Sequence, residues 1–250
     1  MRRLLQTTLL VLTGIGLLRA ALFTDLYLRY VKEGMRPLLI ASGVLLVLLG
    51  VADAVAYGRR RGCDEHPDHE GGGAHGHHHT GAPRTAWLLL LPALSLLLYA
   101  PPALGAYTAS REPPKEITHQ DDFDPLPATS PLPITLSDFI RRVQQDHTRA
   151  IEGRTVQMTG FVTSGNQDGG WYLTRIIISC CAADAQSVKV RIYGTPARPA
   201  NTWVAITGTW HSGGALGTSS APAALDARSV KEVDKPVNAY TDALPLTPTR

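Results

Sequence analysis

The residues best equipped for chemistry are two adjacent cysteines, Cys180 and Cys181, in the run Ile-Ser-Cys-Cys-Ala-Ala-Asp-Ala at 178–185. Neighbouring Cα atoms lie about 3.8 Å apart across a trans peptide, closer than ordinary disulfides prefer, so a bond between the two would be strained. In a regular strand the two side chains would face opposite sides. If the strand ends here, a turn brings Cys180, Cys181 and Asp184 toward one point. Two thiolates, a carboxylate and a histidine such as His211 would then suit zinc or copper. Two other readings stand beside this one: a pair of small buried apolar side chains, and a redox pair. A thiol enzyme built on Cys180 would need a base, and only His211 or His147 is near in sequence. No motif places either, so an enzyme is not expected.

A second constellation is Arg-Arg-Arg-Gly-Cys-Asp-Glu-His-Pro-Asp-His-Glu followed by a glycine- and histidine-rich stretch. It holds His66, His69, His75, His77, His78 and His79, with Cys63, Asp64, Glu65, Asp68 and Glu70 alongside. These are ligand types for zinc and similar ions. Gly71–Gly73 and Gly76 leave the loop without one preformed geometry. Such a loop binds metal through exchanging ligand sets, which suits buffering, sensing or delivery. The plainer alternative is an inert polar linker.

The elements that must position these groups divide the chain in two. Residues 1–107 hold ten basic and seven acidic side chains, residues 108–250 hold fourteen of each, so the net charge of +3 lies in the front. A mean hydropathy near zero therefore averages two unlike parts. Three apolar segments, about 4–26, 37–57 and 87–107, predict membrane-spanning helices. Pro101 and Pro102 end or bend the third. A cleaved signal peptide is the rival for the first, but no small-x-small cleavage site follows it. Arg19 and Asp53 interrupt the spans, either as snorkelling ends or as intramembrane contacts with each other or a partner. Arg2, Arg3, Arg59–Arg61 and Arg84 flank one side; Arg29, Lys32, Arg36, Arg111 and Lys115 flank the other. The positive-inside rule then puts the amino terminus and the 62–80 loop in the cytoplasm and the back half outside.

Residues 108–133 are proline-rich and read as an extended tether. His119, Asp121, Asp122 and Asp124 on it read as a solvated acidic stretch. The domain over 134–235 opens with a short helix in LSDFIRRVQQD, with Ser137 as its cap. Period-two alternation follows at 154–164, 171–181, 187–194, 202–210 and more weakly 227–233. Five strands with glycine-rich turns predict an α+β protein whose back half is a small OB-like antiparallel β-barrel. Its neutral charge excludes the basic groove that a nucleic-acid binder needs. Residues 236–250 read as a flexible tail.

The Ser179–Ala185 run, Gly153–Val162 and Trp203–Gly208 together resemble the YcgQ-like family of bacterial membrane proteins, whose carboxy-terminal domain is DUF1980. The Pro101-Pro102 ending of the third apolar segment is similar too. The resemblance implies a polytopic permease partner and a link to zinc limitation, without an established reaction. The histidine loop lies outside the shared signature. The combined expectation is a plasma-membrane, multi-pass accessory subunit of a two-component permease handling zinc or another divalent metal. The alternative is a membrane-anchored metal-binding or sensing module with no part in transport.

Overall fold

The computed structural model describes residues 2–61, 104–113, 117–165 and 170–244. The chain forms two compact units: residues 1–24 with 37–103, and residues 25–36 with 104–250. The histidine loop, Cys63 and residues 87–103 of the third apolar segment lie outside the described residues.

The first unit is a hairpin of helices α1 (Arg2–Phe23) and α2 (Arg36–Arg61). Both carry a stretch long and apolar enough to cross a membrane, over Gln6–Phe23 and Glu33–Ala56. Pro37 falls in the first turn of α2, where a missing N–H costs nothing. Glycines let the helices meet backbone to backbone. A Cβ at Gly14 would stand 2.8 Å from the Gly43 carbonyl oxygen, and one at Gly50 would stand 2.6 Å from Val11 Cγ2. Leu12, Leu38, Leu45 and Leu48 point outward and stay exposed.

The second unit is built on a six-stranded mixed sheet of order β1-β2-β3-β4-β6-β5, in which β2 also pairs with β5. The strands are β1 (Leu132–Pro133), β2 (Val156–Ser164), β3 (Trp171–Ile177), β4 (Gln186–Tyr193), β5 (Trp203–Trp210) and β6 (Ala224–Glu232). Strand β2 serves two neighbours. Val156–Phe161 pair with β5, and Phe161–Ser164 pair with β3. Gly160 allows the close approach where the strand changes partner, since a Cβ there would stand 2.7 Å from the Thr174 carbonyl oxygen.

The sheet is mixed, where alternation along the sequence led to an antiparallel expectation. Strand β5 leaves the β4 edge to pair with β2, and β6 then fills the gap beside β4 in parallel. Hairpin counting cannot register that crossover. Strand β3 buries both faces. Trp171 and Leu173 join the main core with Val156, Met158, Val190 and Ile206. Ile176 and Ile178 join a second cluster with Phe161, Tyr240 and the helix α3 (Ala106–Arg111).

Helix α4 (Leu136–Gln145) packs Leu136, Phe139, Ile140 and Val143 into the main core. Its cap is Thr135 rather than Ser137. The Thr135 Oγ1 accepts from Asp138 N at 3.1 Å, which meets one of the donors a helix start leaves unpaired. The Asp242 carboxylate accepts two more, from Leu136 N at 3.3 Å and Ser137 N at 2.7 Å.

Two boundaries differ from those read in the sequence. Residues 117–133 lie along the domain instead of standing free. Ile117 and Leu126 pack on its core, and Arg142 and Arg154 donate to the carbonyls of Asp124 and Pro127. The segment after β6 is anchored as well, because Ala239 and Tyr240 are buried. Both segments look polar and proline-rich in isolation, and single apolar anchors hold them.

Candidate functional site

The dicysteine segment forms the turn between β3 and β4. The β3 ladder stops at Ile177, and Ile178 N donates instead to the Tyr240 carbonyl at 3.1 Å. The Asp184 side chain then closes the turn on itself. Its two oxygens accept from Ser179 N at 3.0 Å and Cys180 N at 2.7 Å. A short 3-10 turn, Ala182–Asp184, leads into β4.

Cys180 is exposed, Cys181 half-buried, and both are free thiols. A hydrogen bond to the Asp184 carboxylate, joined by one to Cys181, pushes the Cys180 thiol up to about 11. The thiol proton is what Asp184 holds, so ionising Cys180 would put two negative charges side by side. The same hydrogen bond, helped by the backbone N–H donors, holds Asp184 below the usual carboxylate range. Near neutral pH the turn therefore presents a protonated thiol and a charged, already occupied carboxylate.

The connection between α1 and α2, residues 25–36, belongs to the same unit as the β-domain and meets this turn. Val31 forms an antiparallel bridge with Cys181. Lys32 N donates to the Cys180 carbonyl at 3.1 Å, and Ala182 N donates to the Tyr30 carbonyl at 2.6 Å. The backbone on both sides of the cysteines is thus paired to a loop about 150 residues earlier. Nothing in the cysteine run itself signals this. The weak signal lies in the loop, where Tyr27, Tyr30 and Val31 interrupt a polar stretch.

His211 does not join the cysteines. It follows β5 and stacks on Tyr193, ring centroids 4.0 Å apart, with its Nδ1 2.7 Å from Asp226 Oδ1. Tyr193 ends β4, whereas the cysteine turn precedes its first residue, Gln186. At about 3.3 Å per residue the two ends lie roughly 20 Å apart. His147 also lies elsewhere, packed by its backbone against Gly217 in the β5–β6 connection. Among the described residues no group of three or more His, Cys, Asp or Glu is arranged to hold a metal. The four-ligand set of Cys180, Cys181, Asp184 and His211 is therefore not assembled. His66, His69, His75, His77, His78 and His79 fall outside the described residues.

Arg19 and Asp53 sit at opposite ends of the helical hairpin and do not pair. Asp53 accepts a hydrogen bond from Thr7 Oγ1 near the start of α1. Arg19 lies beside Ile15, Leu18 and Phe23 near its end. His119 pairs with Asp121 at 2.9 Å on the exposed surface.

The architecture is that of an α+β domain whose chain also carries a pair of apolar helices. Residues 126–241 match the family model of the DUF1980 C-terminal domain. The match runs to the anchored Thr241, past the boundary at 235 expected from the strands. No curated protein and no solved structure matches the chain.

Proposed function

We propose that the chain is a membrane-anchored accessory subunit of a permease complex of the YcgQ-like kind, with its DUF1980 domain outside the cytoplasm. The observation that carries this reading is the pairing of the 25–36 connection with the cysteine turn. A binding module on a free tether has no need of such a tie. In the proposed subunit, the loop between the two apolar helices is instead part of the domain's own structure.

The tie has a consequence for topology. The connection emerges where α1 ends, and the β-domain shares its unit. If α1 and α2 cross the membrane, the chain must cross back between Arg61 and Leu104. We propose the remainder of the third apolar segment, 87–103, for that pass, since Leu104 and Ala106 already pack with the β-domain. Three passes are too few to line most transport paths, which favours a polytopic partner. We read the strand cycle β2-β3-β4-β6-β5, closed by β2–β5 and with β4–β6 parallel, as an OB-like barrel. Its neutral charge argues for a protein or small-ligand role over nucleic acid.

We assign metal handling, zinc being the leading candidate, to the histidine loop before the cysteine turn. A metal at Cys180 would have to expel a tightly held proton and compete for Asp184. The experiment is co-purification of the full chain from membranes, with metal analysis of the product. A stable complex with a polytopic membrane protein is the expected result. A solitary chain that binds zinc through residues 66–79 would instead establish the anchored-sensor reading. A solitary chain without zinc would remove both.

A further inference from the structure

A second feature of the 25–36 connection has no part in the reading above. Its helical turn Leu26–Arg29 and the segment after β6 enclose an open cleft of about 300 Å³, lined among others by Asp25, Arg29, Lys235, Val237 and Tyr240. Cations outnumber carboxylates in that lining. Among the described residues neither Arg29 nor Lys235 makes an ion pair with a carboxylate.

Lys235 is held in place. Its Nζ donates to Tyr240 Oη at 3.3 Å and lies 4.8 Å from the centre of the Tyr240 ring. Tyr240 Oη in turn donates to the Leu104 carbonyl at 3.0 Å. The tyrosine proton is thus spent, and its oxygen orients the ammonium. Two of the three ammonium N–H groups remain for a ligand, and the Arg29 guanidinium belongs to a residue lining the same cleft. Partial burial lowers the Lys235 pKa, and the charge of Arg29 lowers it further. Two cations are kept together at a cost that a bound anion would remove.

We propose that the Arg29–Lys235 cleft binds a phosphate-type oxyanion. The ligand chemistry follows from two charged donors converging on one cleft, an arrangement suited to phosphate oxygens. The cleft begins at Asp25, two residues beyond the apolar helix that ends at Phe23. That position offers two sources of the same chemistry: the headgroup of an anionic phospholipid, or free phosphate.

The test measures acetylation of Lys235 in the full-length protein by peptide mass spectrometry, with exposed Lys231 as internal comparator. One arm uses sugar-detergent micelles with inorganic phosphate, against sodium chloride of equal ionic strength. The other uses nanodiscs of phosphatidylglycerol against phosphatidylcholine. Ligand at ten times its Kd should slow Lys235 about tenfold and leave Lys231 unchanged. Protection by phosphate alone assigns the site to the free ion; protection by phosphatidylglycerol alone assigns it to the headgroup. Arg29→Gln should abolish protection and Arg29→Lys should retain it. No protection in either arm would overturn the proposal, as would equal protection in Arg29→Gln.

Discussion

Asp184 holds the Cys180 proton, and replacing Asp184 by Asn should release it. The wild-type thiol is pushed to about 11 against an ordinary value of 9.0. At neutral pH that difference lowers the thiolate fraction about a hundredfold. A less basic thiolate is also a weaker nucleophile, which offsets about tenfold of the gain. Asp184→Asn should therefore speed alkylation of Cys180 by about tenfold at pH 7. The asparagine carbonyl can still accept one of the two backbone N–H groups, so the turn keeps part of its closure. The assay is iodoacetamide modification of the full chain carrying Cys63→Ser and Cys181→Ser, so that Cys180 is the one thiol read. The pH profile should move in the same direction, with the wild-type rate still rising past pH 9 and the Asp184→Asn rate levelling earlier. Equal rates with and without Asp184, or a slower rate in Asp184→Asn, would refute the hydrogen-bond assignment.

Other consequences concern the packing that presents the turn. Asp242→Ala removes the side-chain acceptor of two backbone N–H groups at the start of α4. It also removes the carboxylate 3.9 Å from buried Arg175, whose guanidinium nitrogens have no hydrogen-bond acceptor among the described residues. The loss should be about 3 kcal/mol or more, read as a lowered thermal midpoint of the full chain in detergent. Thr135→Ala removes one cap bond and should cost about 1 kcal/mol on the same measurement. In the hairpin, Gly14→Val places a Cβ against the Gly43 backbone and should lower yield and thermal stability in detergent. Gly16→Ala meets nothing within 4 Å and should be tolerated.

Much of the β-domain is legible in the sequence because burial alternates at period two. The segments 154–164, 187–194 and 202–210 match β2, β4 and β5 to within two residues at either end. Strand β3 ends at Ile177 rather than carrying the cysteines, because Tyr240, far along the chain, takes the Ile178 N–H. His211 follows a strand, but the sequence does not say at which end of the sheet that strand end lies. The polar tail after 235 conceals Ala239, Tyr240 and Asp242. Each makes contacts with residues more than sixty positions away, and no local periodicity encodes those. The cysteine turn itself was readable. Its partner, the 25–36 connection, was not, because backbone pairing between loops leaves no compositional trace.

The pairing of Val31 with Cys181 is the most direct thing to measure. Opposed residues in an antiparallel pair have Cα atoms about 4.5–5.5 Å apart, within disulfide reach. A chain with Val31→Cys, Cys63→Ser and Cys180→Ser, oxidised mildly in native membranes, should form an intramolecular bond between residue 31 and Cys181. It should do so without loss of yield, and a membrane-impermeant reductant applied from outside should open it. No bond, or only bonds between separate chains, would contradict the tie between the helical connection and the DUF1980 domain on which the proposed role rests.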